Sequence, residues 1–127
     1  MNTIKILLYC LMMSFLSVSS LAYAADNPEE IKAALEQTVA KLEEAVAALD
    51  KGEDGKKIAE LIVEARQLQK GISTSDSKVS MKRSQSNHKL VLARTSINEG
   101  DLKAGGELLK EALAGYKEVK EKFNASH

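Results

Sequence analysis

Cysteine is almost missing from this sequence. The single copy, Cys10, lies inside the N-terminal apolar stretch. No disulfide is therefore open to the rest of the chain, and its stability must come from a hydrophobic core. Aromatic residues make up only 4% of the chain. With no sustained basic stripe among the interspersed charges, nucleic acid is excluded as an expected partner. An excess of one charge sign is also missing, since 18 Lys+Arg face 18 Asp+Glu. The signatures of common chemistries are absent too. There is no C-x-x-C-H for haem attachment and no E-x-x-H for a di-iron carboxylate site. Met81 and His88 share one helix, so they cannot approach a haem iron from opposite sides. Neither His88 nor His127 sits in a Ser-His-Asp context. Adjacent carboxylates such as Glu29-Glu30 and Glu43-Glu44 diverge by about 100° on a helix and do not converge as an acid/base pair. The protein is not expected to be an enzyme.

The first apolar run is the only long one. Ile4 to Leu21 is interrupted by Lys5 and small serines, and Ala22-Tyr23-Ala24 follows as a small-x-small site. This pattern predicts a secretory signal peptide over residues 1–24, cut before Ala25. Tyr9 precedes Cys10 where a lipoprotein would carry a small residue. The expected product is one soluble domain, residues 25–127, in the bacterial periplasm or exterior, with no membrane span after cleavage.

Within that domain a twelve-residue stretch occurs twice. Lys41 to Gly52 and Lys89 to Gly100 both read K-L-x-x-A-x-x-x-[L/I]-[D/N]-[K/E]-G, offset by 48 residues. Each glycine suits the left-handed conformation that closes a helix. The likeness continues at an offset of 47, where Leu61-Ile62-Val63-Glu64-Ala65 corresponds to Leu108-Leu109-Lys110-Glu111-Ala112. The repeated unit is a helix, a tight turn and a helix.

Apolar spacing assigns four helices. The first opens at Asp26-Asn27-Pro28 and carries Ile31, Leu35, Thr38, Leu42, Ala45 and Leu49 on one face. The second carries Ile58, Leu61, Ala65, Leu68 and Ile72 after the Glu53-Asp54-Gly55 turn. Gly71 to Ser77 is the expected crossover. The third aligns Val79, Ser86, Leu90, Ala93 and Ile97, with Lys82 or Arg83 where an apolar residue belongs, and its first half is expected to fray. The fourth aligns Leu102, Gly105, Leu109, Ala112, Tyr116, Val119 and Phe123, with a loose tail from Asn124. Gly105-Gly106 inside it implies close approach of a neighbouring helix. One hairpin cannot bury its stripe alone, so two make an all-α, up-down-up-down four-helix bundle. Helices of 20 to 24 residues would run roughly 30 to 36 Å.

This layout resembles the small metal-binding protein family of bacterial periplasms, which are cysteine-free four-helix bundles. The matching residues are Glu43-Glu44-Ala45-Val46-Ala47 with Gly52 and Gly55, then Ala93 to Gly100, then Glu111-Ala112. The similarity spans most of residues 30–127. It implies a protein that binds or buffers a divalent ion such as Cu, Ni or Zn, here weakly, and the chain is expected to be a monomer. The family's ligands are clustered histidines, and this chain keeps only His88 and His127. Those two are the candidate ligands, with Met81 and Gln85 on the face of His88. A second expectation needs no metal. The serine- and lysine-rich face from Lys78 to Lys89 would offer a surface to a periplasmic protein or an envelope component.

Overall fold

The computed structural model describes residues 27–126. The signal-peptide assignment and His127 lie outside the described residues. Among the described residues there are four α-helices and no strand: α1 Pro28–Asp50, α2 Gly55–Leu68, α3 Ser77–Asn98 and α4 Leu102–Ser126. Each helix packs against its neighbours in sequence, and α4 returns to pack against α1. The result is an up-down-up-down bundle with α1 and α3 at opposite corners.

Three helices begin on a carboxylate or amide that satisfies first-turn amides otherwise left without partners. The Asn27 side chain accepts from Glu29 N and Glu30 N, Asp54 from Lys56 N, and Asp76 from Lys78 N and Val79 N. Asp101 does the same for Ala104 N at the start of α4, at 3.0 Å. The two hairpin turns are copies of each other. Lys51 N, Gly52 N and Glu53 N bond to the carbonyls of Ala47, Leu49 and Ala48. Glu99 N, Gly100 N and Asp101 N bond to those of Thr95, Ile97 and Ser96, each 48 residues on. This is a Schellman closure, and it needs a left-handed residue. Gly52 (φ 72°) and Gly100 (φ 89°) provide it. The second turn is one residue shorter, so the offset between copies falls to 47 beyond it.

The core is one cluster running the length of the bundle, with Leu35, Leu42, Ile58, Ile62, Leu90, Leu109, Tyr116 and Val119 fully buried. The α3–α4 contact is the most intimate. A Cβ on Gly105 would lie 2.5 Å from Ile97 Cγ1 and 3.0 Å from Ala93 O, and one on Gly115 would fall on Ser86 Oγ. Across the α1–α4 seam, a Cβ on Gly106 would lie 2.7 Å from Leu49 Cδ2. Glycine here admits a neighbouring helix, which offsets its propensity cost of about 1 kcal/mol.

Several expectations are corrected. Helix α2 has 14 residues, not 20 or more. It ends at Leu68, which is half-buried, and a 3₁₀ turn, Gln69–Gly71, carries Gln69 inward and brings Ile72 into the core. Tighter winding moves the inward position by one residue. Leu102 is 41% exposed, because the first residue of α4 lies beyond the end of the stripe. The tail is helical through Ser126, where the Ser126 hydroxyl donates to Lys122 O at 2.8 Å. Helix α3 runs unbroken from its Asp76 cap despite its polar first half.

Candidate functional site

Two features set α3 apart from the other helices. The first is a polar cluster where α3 meets the end of α2. Gln69 Oε1, on a residue only 4% exposed, accepts from Arg83 Nη1 at 2.9 Å and from the Tyr116 hydroxyl at 3.3 Å. One turn further along the seam, Arg66 Nε donates to Asn87 Oδ1 at 3.4 Å. Burial pushes the Tyr116 phenol well above its ordinary range, while the Arg83 and Arg66 guanidiniums pull the other way. The phenol is therefore held neutral, as a donor. Arg83 Nε is buried and has no acceptor.

The duplication explains why this cluster was hidden in the sequence. Gln69 and Tyr116 are equivalent positions, 47 residues apart. Arg83 is equivalent, at 48, to Leu35, which is fully buried. A polar group thus stands in α3 where α1 has an apolar one, and Gln69 supplies its acceptor. The spacing correctly placed Lys82 or Arg83 at a position meant for an apolar side chain. It could not show that Gln69 would reach across, because that depends on the 3₁₀ turn.

The second feature is the outer face of α3. Among its 22 residues are Lys78, Lys82, Arg83, Lys89 and Arg94, and no Asp or Glu. Charge that is balanced over the chain is unbalanced between helices. Helix α1, at the opposite corner, carries Glu29, Glu30, Glu36, Glu43, Glu44 and Asp50 against Lys32 and Lys41. Along the outside of α3 run Met81, Gln85, His88 and Leu92, at spacings of four, three and four, and all are exposed. Met81 is 62% and Leu92 41% exposed, the largest apolar side chains left in solvent apart from Leu102.

Lysines make all seven ion pairs found among the described residues. On the α3–α4 side, Lys82 pairs with Glu118 at 2.8 Å and Lys89 with Glu111 at 3.6 Å. Lys41 bridges Glu64 at 3.1 Å and Glu44 at 3.3 Å, and the Glu64 contact holds its ammonium above the usual lysine range. Arg66, Arg83 and Arg94 all lie along the α2–α3 seam, and none of those seven pairs includes them. There Arg94 and Asn98 form one wall of an open groove, with Lys56, Glu60 and Glu64 on the other.

Of the two candidate metal ligands, His88 is exposed in the middle of the outer stripe of α3. Among the described residues, no three His, Cys, Asp or Glu side chains gather in a group that could hold an ion. No described helix is long and apolar enough to cross a membrane. The chain matches no protein-family model, no curated protein and no solved structure.

Proposed function

We propose that this bundle is a binding module whose α3 face takes an acidic helical segment of a partner protein. One observation carries the reading: α3 is a helix without a single carboxylate, and its exposed stripe places Met81 and Leu92 beside the cations Lys78, Lys82 and Lys89. Eleven residues separate the two apolar side chains, about 16 Å at 1.5 Å per residue. That is the spacing of anchors for a helix lying alongside, with the charged rim steering and orienting it. A flat anionic surface would need the cations, but it would give Met81 and Leu92 nothing to pack in a defined place. If residues 1–24 act as the secretory leader their pattern predicts, the partner is met in the periplasm.

The test uses a labelled helical peptide of Glu and Ala with two leucines on one face, and its counterpart with Lys in place of Glu. Fluorescence anisotropy should show saturable binding of the acidic peptide alone, weakening as salt is raised. Met81→Ser with Leu92→Ser should weaken it about tenfold, the equivalent of about 1.4 kcal/mol. Equal binding of both peptides, or no binding of the acidic one up to about 1 mM, would sink the proposal.

A further inference from the structure

The acidic helix that fits this face is present in the molecule itself, at the opposite corner. Helix α1 exposes Ala33, Ala40 and Ala47 at seven-residue spacing along the middle of its outer face. Glu36, Glu43 and Asp50 flank that row on one side, and Glu30, Gln37 and Glu44 on the other, all exposed. The outer face of α3 has the complementary pattern. Met81 and Leu92 project from its middle. Lys78, Lys82 and Lys89 lie on one side of them. Small residues on one helix leave room for long ones on another, and opposite charges meet along one rim.

The duplication sharpens the match. At an offset of 48, Ala33 corresponds to Met81, Glu30 to Lys78 and Glu44 to Leu92. Two surfaces that are equivalent in the repeat have opposite character. We infer that α3 of one copy docks on α1 of a second copy, so that the protein self-associates head to tail. This rests on the reading of α3 as a docking face, and it names the partner. It also replaces the monomer expected from the sequence.

Because α1 and α3 occupy opposite corners of the bundle, a docked pair still has one free α1 face and one free α3 face. The contact is heterologous and propagates unless it closes into a ring. One helix laid on another buries less than the roughly 1,200 Å² of a stable interface, so the association is weak and concentration-dependent.

Analytical ultracentrifugation of the protein at low salt, over rising concentration, should show a mass that climbs past the dimer. It should return to monomer when added salt shortens the Debye length from about 30 Å to about 3 Å. Two variants then separate the faces. Glu36→Lys/Glu43→Lys spoils α1, and Met81→Ser/Leu92→Ser spoils α3. None of these four side chains joins one of the seven ion pairs. Each variant alone should stay monomeric where the wild type associates. An equimolar mixture should form a one-to-one heterodimer and nothing larger, because one good α1 face and one good α3 face remain. That restored pairing also shows that both variants are folded. The inference is overturned if the wild type stays monomeric throughout, if either variant associates as the wild type does, or if the mixture fails to pair. A monomeric wild type that still binds the acidic peptide overturns self-association and leaves the α3 reading standing. Loss of both overturns both.

Discussion

Replacing Arg83 by leucine restores the residue that the first copy of the repeat uses at the equivalent position, Leu35. The expected result is a more stable protein. The substitution removes one hydrogen bond to Gln69, of 2.9 Å, and a bond with a charged donor contributes about 1.5–3 kcal/mol. Gln69 Oε1 is not left empty, because the Tyr116 hydroxyl still donates to it at 3.3 Å. The loss therefore falls at the low end of that range. Against it, the change removes a buried Nε–H with no acceptor, a group whose desolvation costs about 1–3 kcal/mol. It also places apolar carbon against a core cluster, and a half-buried leucine contributes about 1 kcal/mol. The balance is about 1 kcal/mol in favour of the variant, or about 4–8 °C in Tm for a domain of this size. Urea unfolding followed by circular dichroism at two or three protein concentrations reads it directly. The companion variant Gln69→Leu should behave oppositely. It strands both Arg83 Nη1 and the fully buried Tyr116 hydroxyl, and should lose about 2–4 kcal/mol. If Arg83→Leu unfolds earlier by 1 kcal/mol or more, the cluster is a net stabiliser and the accounting of its unpartnered donor is wrong.

Three further outcomes follow from the same geometry. Gly115→Ala should destabilise by about 1–3 kcal/mol despite alanine's better helix propensity, since its Cβ falls on Ser86 Oγ; Ser86→Ala should recover half or more of that in a double-mutant cycle, and a stabilising Gly115→Ala would refute the close α3–α4 contact. Gly52→Ala and Gly100→Ala should each cost about 1 kcal/mol, from positive φ alone, because no heavy atom lies within 4 Å of either added Cβ; the two should add within about 0.5 kcal/mol, and strong coupling between them would count against independent turns. Tyr116, whose folded pKa is raised, keeps its proton in the folded state after the unfolded chain has begun to lose it. Its contribution is therefore complete below about pH 10 and declines above it by about 1.4 kcal/mol per pH unit. Tyr116→Phe should flatten that part of the alkaline stability profile, and absorbance near 295 nm of residues 25–127, in which Tyr116 is the one tyrosine, should show the phenol ionising only as the protein unfolds.

Most of the fold could be read from the sequence because most of it is local. Gly52 and Gly100 announced the turns, and Asn27, Asp54 and Asp76 stood where caps belong. The buried face of α3, with Val79, Ser86, Leu90, Ala93 and Ile97, followed from a 3.6-residue period alone. What escaped depends on winding and on contacts across the bundle. The 3₁₀ turn at Gln69–Gly71 shifts the inward position from Leu68 to Gln69, and no periodicity records a change of pitch. The partners of Arg83 are 14 and, through Gln69, 33 residues distant, so only the assembled bundle brings them together. The charge asymmetry was in plain sight but was averaged away. Whole-chain neutrality says nothing about two helices at opposite corners, one acidic and one basic.

The duplication is what joins the buried and exposed oddities of α3. A duplicated hairpin begins with two equal halves, and every later difference marks where one copy has been released from its original constraint or given a new one. In the core the released position is Arg83 against Leu35, tolerated because Gln69 and Tyr116 meet across the bundle at equivalent positions. On the surface each of the six α1 carboxylates has an uncharged or basic counterpart in α3: Ser77 for Glu29, Lys78 for Glu30, Ser84 for Glu36, Val91 for Glu43, Leu92 for Glu44 and Asn98 for Asp50. The lack of those six carboxylates does nothing for the stability of an exposed surface, where isolated charges contribute little. It does create a face that opposite charge can find. With Lys41 matched by Lys89, and Met81, Val91 and Leu92 standing where α1 has Ala33, Glu43 and Glu44, the face has the charge and the apolar side chains that the proposed docking on an acidic helix requires.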